Sequence, residues 1–157
     1  MKVKDIMEPV NGYLLPTDTL KEAVNKMRVT KRWNGQGMKG MVVLDQAGDL
    51  VGIMAIKDIM RAALPTYVAD DSFSEVTWDG MLEEMAAKAA NKTVAEYMSP
   101  KVITVYENDS LMKCAEIFLA KNLQRLPVLN EADKLVGVVY IRDIYHVITK
   151  VFHPTED

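Results

Sequence analysis

"VGIMAIKDIM", residues 51–60, and "VGVVYIRDIY", residues 136–145, are one phrase written twice. Each opens an apolar run with Val-Gly, then spells a basic residue, an aspartate and a fresh apolar run. Outward from that phrase, an offset of 85 residues carries Leu44 onto Leu129, Gly52 onto Gly137 and Asp58 onto Asp143. Nearer the start the offset is 91. There Val3, Met7 and Pro9 fall on Val94, Met98 and Pro100, and Asp18-Thr19-Leu20 falls on Asp109-Ser110-Leu111. The difference is a six-residue insertion in the first copy around "TKRWNGQG". A duplication of this length sets the architecture before any element is assigned.

Each copy predicts the order β-α-β-β-α. A short strand ("YLLP"; "VITVY") leads into "TDT" or "NDS", where Thr17 or Asp18, and Asn108 or Asp109, can accept from the free N–H groups of the next helix. Helical spacing places Leu20, Ala23, Val24 and Met27 on one face in the first copy, and Leu111, Ala115, Phe118 and Leu119 in the second. Two strands follow, "MVVLD" and "LVGIMAI" around the turn "DQAGD", or "LPVLN" and "KLVGVVYI" around "NEAD". A closing helix starts near Asp58 or Asp143. The near-continuous apolar strands fit strands covered on both faces. The expected fold class is α/β (α+β), with two β-α-β-β-α repeats packed through their sheets as a pseudo-two-fold pair. The first repeat spans 1–65 and the second 93–150, with a tail at 151–157. The linker, 66–92, turns helical from about residue 77, with Trp78, Met81, Leu82 and Met85 on one side.

Bulk properties remove several classes of function. The chain has 157 residues, 49% of them apolar and 26% charged, an ordinary globular balance. A net charge of −3 without a basic block argues against nucleic acid and anionic membrane as partners. The apolar runs fall short of a membrane span, and "MKVKDIMEPV" carries charges where a signal peptide needs an apolar stretch, so the expected location is cytoplasmic. The single cysteine, Cys114, reads as a small buried hydrophobe. His146 and His153 have no metal-site spacing around them, and no nucleophile has a positioned base, so no enzyme is expected. Met27, Met54, Met60, Met81 and Met85 fall on apolar faces as gap-fillers.

In order, spacing and duplication, the "VxxxM-x-P" lead, "ITVYENDSL", "LPVLN" and "GVVYIRDI" resemble a tandem pair of CBS domains, the regulatory module first named for cystathionine β-synthase. The resemblance runs from Val3 to about Ile148. It implies two repeats forming two clefts, an adenine nucleotide (AMP, ADP or ATP) as ligand, no required cofactor, a homodimer, and an unidentified protein target. A nucleoside site needs an apolar slot for the base, a carboxylate for the ribose hydroxyls, and positive charge or N–H groups for phosphate.

By family position Asp58 and Asp143 are the ribose candidates. The alternative for both is helix-start stabilisation, about 0.3–1 kcal/mol. The family's Ser or Thr three residues before the aspartate is Ala55 or Tyr140 here, and Tyr140 could still offer a phenol. Arg125 and Arg142 are the phosphate candidates in the second copy, matched by Gly40 beside Lys39, and by Lys57, in the first. Thr104 matches a family position facing the ligand, and its counterpart is Tyr13. Val102, Ile103, Pro127 and Val139 are candidates to wall the base. The glycine-rich "KRWNGQGMKG" reads as a hinge or dimer contact, lacking the spacing of a phosphate loop.

The expected function is therefore a non-enzymatic sensor binding an adenine nucleotide between its repeats and signalling to a partner, with the second copy as the better site. The competing reading is a ligand-free interaction module, its clefts filled by side chains such as Tyr140 and its closing helices "DIMRAALP" and "DIYHVITKVF" forming a dimer.

Overall fold

The computed structural model describes residues 1–32, 35–64 and 77–154. The chain divides into two compact units. A continuous unit comprises residues 11–101, and a split unit comprises 1–10 together with 102–157.

In the continuous unit, helix α1 (Leu20–Val29) leads into the hairpin β1 (Gly40–Leu44) and β2 (Leu50–Ala55), then α2 (Ile56–Ala63). Helices α3 (Met81–Ala89) and α4 (Val94–Tyr97) complete it. In the split unit, a single 3-10 turn at Val3–Asp5 joins β3 (Val105–Tyr106), α5 (Leu111–Lys121), β4 (Arg125–Leu129), β5 (Leu135–Tyr140) and α6 (Ile141–Phe152).

The sequence offsets reappear as strand register. Antiparallel β1 and β2 pair Gly40 with Ala55, and β4 and β5 pair Arg125 with Tyr140. Both hairpins shift register at the equivalent place, between Val43 and Leu44 and between Val128 and Leu129. The parallel strand β3 sets Val105 opposite Val128, and a lone bridge sets Leu14 opposite Val43. The first repeat thus keeps its leading strand only as that bridge.

Strand alternation sorts the side chains. Met41, Val43 and Met54 enter the core of the continuous unit with Leu14, Leu20 and Met27. Leu126, Val128 and Val139 enter the core of the split unit with Phe118, Cys114 and Ile144. Cys114 is fully buried, and burial pushes its thiol up to about 11.

Each leading segment sits in the unit built around the other repeat's hairpin. Glu8 and Val138 exchange backbone hydrogen bonds of 2.9 Å in both directions in the split unit. Ser99 and Ile53 do the same at 2.9 and 3.1 Å in the continuous unit. The repeated glycine of the opening phrase makes this approach possible. A Cβ on Gly137 would lie 2.7 Å from the Glu8 carbonyl oxygen and 3.0 Å from Met7 Sδ. On Gly52 it would lie 2.5 Å from Met98 Sδ and 3.2 Å from the Ser99 carbonyl oxygen. Gly52 and Gly137 therefore each admit a methionine of a lead, Met98 or Met7, and the backbone carbonyl of the residue after it.

Several expectations are corrected. The caps of α1 and α5 are Thr19 and Ser110, whose hydroxyls accept the Glu22 and Lys113 N–H groups at 3.1 Å. Asp18 and Asp109 instead close the preceding turns, accepting the Leu15 and Tyr106 N–H groups at 2.9 and 2.8 Å. Leu119 is 79% exposed and Val24 is exposed, because Cys114 and Ala23 take the inner positions. Met60 is exposed on α2. Helix α3 begins at Met81 after Gly80 in left-handed conformation, leaving Trp78 and Leu82 exposed. Trp33 and Asn34, the linker residues 65–76 and the tail residues 155–157 lie outside the described residues.

Candidate functional site

The head of α6 gathers the charged candidates of the split unit. Because β5 runs directly into α6, Tyr140 is both the last strand residue and the helix N-cap. Asp143, three residues on and half-buried, accepts the Tyr140 backbone N–H at 3.3 Å. That is the carboxylate half of a capping box, made without the hydroxyl half. The Ile141 N–H donates to the Gln124 carbonyl at 3.0 Å, which holds the helix head against the start of β4.

Alternation places Arg125, Pro127, Val138 and Tyr140 on the sheet face opposite the helix-side core. Arg125 is half-buried, and its Nε is buried without a hydrogen-bond acceptor. Pro127 and Tyr140 are buried. Thr104 stands one residue before β3, next in line to Pro127, and is half-buried, while Ile103 is exposed. Arg142 is exposed on α6. Val139 lies on the helix side among Phe118 and Ile144, so alternation does not bring it to the face that holds Arg125. Val138, which the sequence reading passed over, shares that face by its pairing with Pro127.

The continuous unit arranges its counterparts differently. Asp58 is 4% exposed, and its Oδ2 accepts the Ala55 N–H at 2.8 Å. Its Oδ1 accepts from the Arg61 guanidinium, one helical turn on. Lys39, Lys57 and Tyr13 are all exposed. Gly40 and Ala55, facing each other in register, put no polar side chain where Arg125 and Tyr140 stand in the other unit. Arg61 went unremarked in the sequence, although its i,i+3 spacing from Asp58 is the signal for such a pair.

The insertion closes on itself. The Arg32 N–H donates to the Gln36 carbonyl and the Gly35 N–H to the Arg32 carbonyl, both at 2.9 Å. Lys31 and Gly37 bridge across the same turn. These N–H groups are spent within the loop rather than turned outward. Among the described residues no cluster of three or more His, Cys, Asp or Glu is placed to hold a metal ion, and no helix is long and apolar enough to cross a membrane.

The duplicated register, the glycine-led strand and the carboxylate at each closing helix define a tandem repeat fold. The CBS domain model matches residues 3–65 and 94–150, and the chain belongs to the CBS domain family. Among curated proteins, the chloroplastic CBS domain-containing protein CBSX1 of Arabidopsis thaliana is 30% identical over 79% of this chain and 53% of its own length. The inosine-5'-monophosphate dehydrogenase of Methanocaldococcus jannaschii is 24% identical over 82% of this chain, which spans 20% of that enzyme. Among solved structures, CBSX2 in complex with AMP is 23% identical, with a TM-score of 0.67 covering 97% of this chain and 98% of that one. The chain spans about half of its CBSX1 relative, and the family includes both CBS-only proteins and enzymes that carry the pair as a part.

Proposed function

We propose that the chain is a non-enzymatic regulatory module that binds an adenine nucleotide at the head of α6 and signals to a protein partner, as a homodimer in the cytoplasm. The observation that carries this reading is the juxtaposition at one strand-to-helix junction. Asp143 heads α6, and Arg125 stands opposite Tyr140 in the adjoining hairpin. The carboxylate would accept from the ribose hydroxyls, and the planar guanidinium of Arg125, together with Arg142, exposed on α6, would take phosphate oxygens. Thr104, Ile103 and Pro127 would border the base. AMP bound to CBSX2, a fold neighbour, supports the ligand class. Signalling then requires that the nucleotide bind one arrangement of the chain better than another.

Isothermal titration with AMP, ADP and ATP tests the reading. Binding in the micromolar-to-millimolar range is expected, weakened about tenfold or more by Asp143→Ala, the effect of losing a charge-assisted contact. No binding of any of the three at millimolar concentration overturns it.

A second reading has its own observation. Tyr140 is buried on the face where a ligand would sit, Asp143 already serves the helix head, and Tyr145, Ile148 and Phe152 lie exposed along α6. A ligand-free module that associates through that helix fits these facts. It predicts a dimer in solution that Phe152→Asp dissociates, with no response to nucleotide.

A further inference from the structure

Between Glu22 and Asp45 the chain carries five cations, Lys26, Arg28, Lys31, Arg32 and Lys39, and no carboxylate. They are too spread along the sequence to form a basic block, but the insertion folds them onto the tail of α1. The Met38 N–H donates to the Met27 carbonyl at 2.9 Å, and Lys31 and Gly37 bridge across the loop. A Cβ on Gly37 would lie 3.4 Å from the Arg28 carbonyl oxygen. Lys26 is spent on Asp18 at 2.7 Å. The Arg28 guanidinium and Lys31 Nζ donate only to neutral groups, the Asn25 side chain and the Arg28 carbonyl. Arg28, Lys31 and Lys39 are exposed, and among the described residues none of them is paired with a carboxylate. Val24 and Val29 stand exposed beside them.

The opposite charge collects at the head of α3. Between Arg61 and Lys88 the chain carries six carboxylates and no cation. Three of these, Asp79, Glu83 and Glu84, are exposed around Trp78 and Leu82, which are exposed in turn. The helix macrodipoles favour a cation at the tail of α1 and carboxylates at the head of α3. They account neither for Lys39, ten residues beyond α1, nor for the apolar side chains left in water at both places. Apolar residues within a charged rim are the anatomy of an interface. Each surface bears one sign and so repels a copy of itself, which makes the other surface its complement. Both lie in the continuous unit, yet they leave each other uncovered, with Val29 60% and Leu82 61% exposed.

We propose that the basic tail of α1 in one copy of the chain docks on the acidic head of α3 in a second copy. The contact joins two different surfaces, and it is held by charge and tuned by ionic strength. It goes beyond the nucleotide reading and is independent of it.

Sedimentation velocity of the full chain tests the contact. The sedimentation coefficient is expected to rise between about 500 mM and about 20 mM salt, as screening is relieved. Lys31→Glu with Lys39→Glu abolishes that rise, and so does Asp79→Lys with Glu83→Lys. An equimolar mixture of the two double variants regains it, because each then offers the sign the other lacks. Phe152→Asp, on α6, leaves the rise unchanged. A wild type without the rise overturns the inference, as does a rise that survives in either folded double variant, a mixture that does not regain it, or its loss in Phe152→Asp. If one double variant unfolds, as read by circular dichroism, the other decides alone.

Discussion

The continuous and the split unit are two solutions to one folding problem, alike in the register of their hairpins and different in their leading segments, their hairpin turns and the residues at the hairpin ends. Both hairpins share register, bulge and glycine. The continuous unit draws its leading segment from residues just downstream, so everything it needs lies within 11–101. The split unit borrows residues 1–10 from the opposite end of the chain. The tight turns differ too. Gly48 adopts φ +86° in one, and Asp133 adopts φ +60° in the other. A left-handed aspartate is less comfortable than a glycine, but Asp133 there accepts the Tyr106 hydroxyl at 2.6 Å. Near-identical sequence patterns therefore tolerate different local strain when a side chain supplies a compensating contact.

The largest test of this comparison is removal of residues 1–10. Val3 is fully buried in the split core, and the backbone exchange with Val138 would go with it. A loss on the order of 3–5 kcal/mol is expected from the buried side chains and the orphaned strand groups. Hydrogen-exchange mass spectrometry should show protection lost across 102–157 and kept across 11–101. Equal loss in both units would break the division.

A smaller effect separates the two glycines. Gly137→Ala forces a methyl against the Glu8 carbonyl, part of the backbone, and should cost about 2–3 kcal/mol by urea denaturation. Gly52→Ala meets chiefly the thioether of Met98, a flexible side chain, and should cost about 1 kcal/mol. The reverse order would show that the lead of the split unit is the looser one.

The smallest effect is electrostatic. The hydrogen bond from Tyr106 to Asp133, and then the negative charge of that carboxylate, raise the Tyr106 phenol above its ordinary 10.0. A raised folded-state value means the contribution is present below pH 10 and fades as pH climbs through the shifted titration. Phenolate absorbance should therefore show Asp133→Asn lowering the Tyr106 midpoint, with no counterpart in the continuous unit, where Leu15 occupies that place.

Much of this was legible in the sequence because a duplication is self-checking. The offset of 85 carries each β1–β2 pair onto a β4–β5 pair, and the closing helices begin two residues before Asp58 and Asp143, near where the apolar breaks suggest. Other features were not. Three oxygen-bearing residues in Thr17-Asp18-Thr19 each satisfy a capping pattern, and only the backbone path selects Thr19. Which hairpin a "Met-x-Pro" lead joins is a long-range choice between two equal templates, so local pattern carries no information about it. Val139 and Val138 are neighbours of like chemistry, and a single step of register decides which one faces the core. Arg61 was hidden by its ordinariness, one basic residue in a short helix.

The borrowed lead also orders events in time. During synthesis, Ile53 and Ser99 leave the ribosome well before the chain is finished, so the continuous unit can close while translation proceeds. Glu8 is made long before its partner Val138. The leading segment must wait without that strand partner while the intervening residues are added. Long-range closure of this kind is slow. The split unit is thus the later of the two to close, and the head of α6 takes its finished setting only once residues 1–10 meet β5.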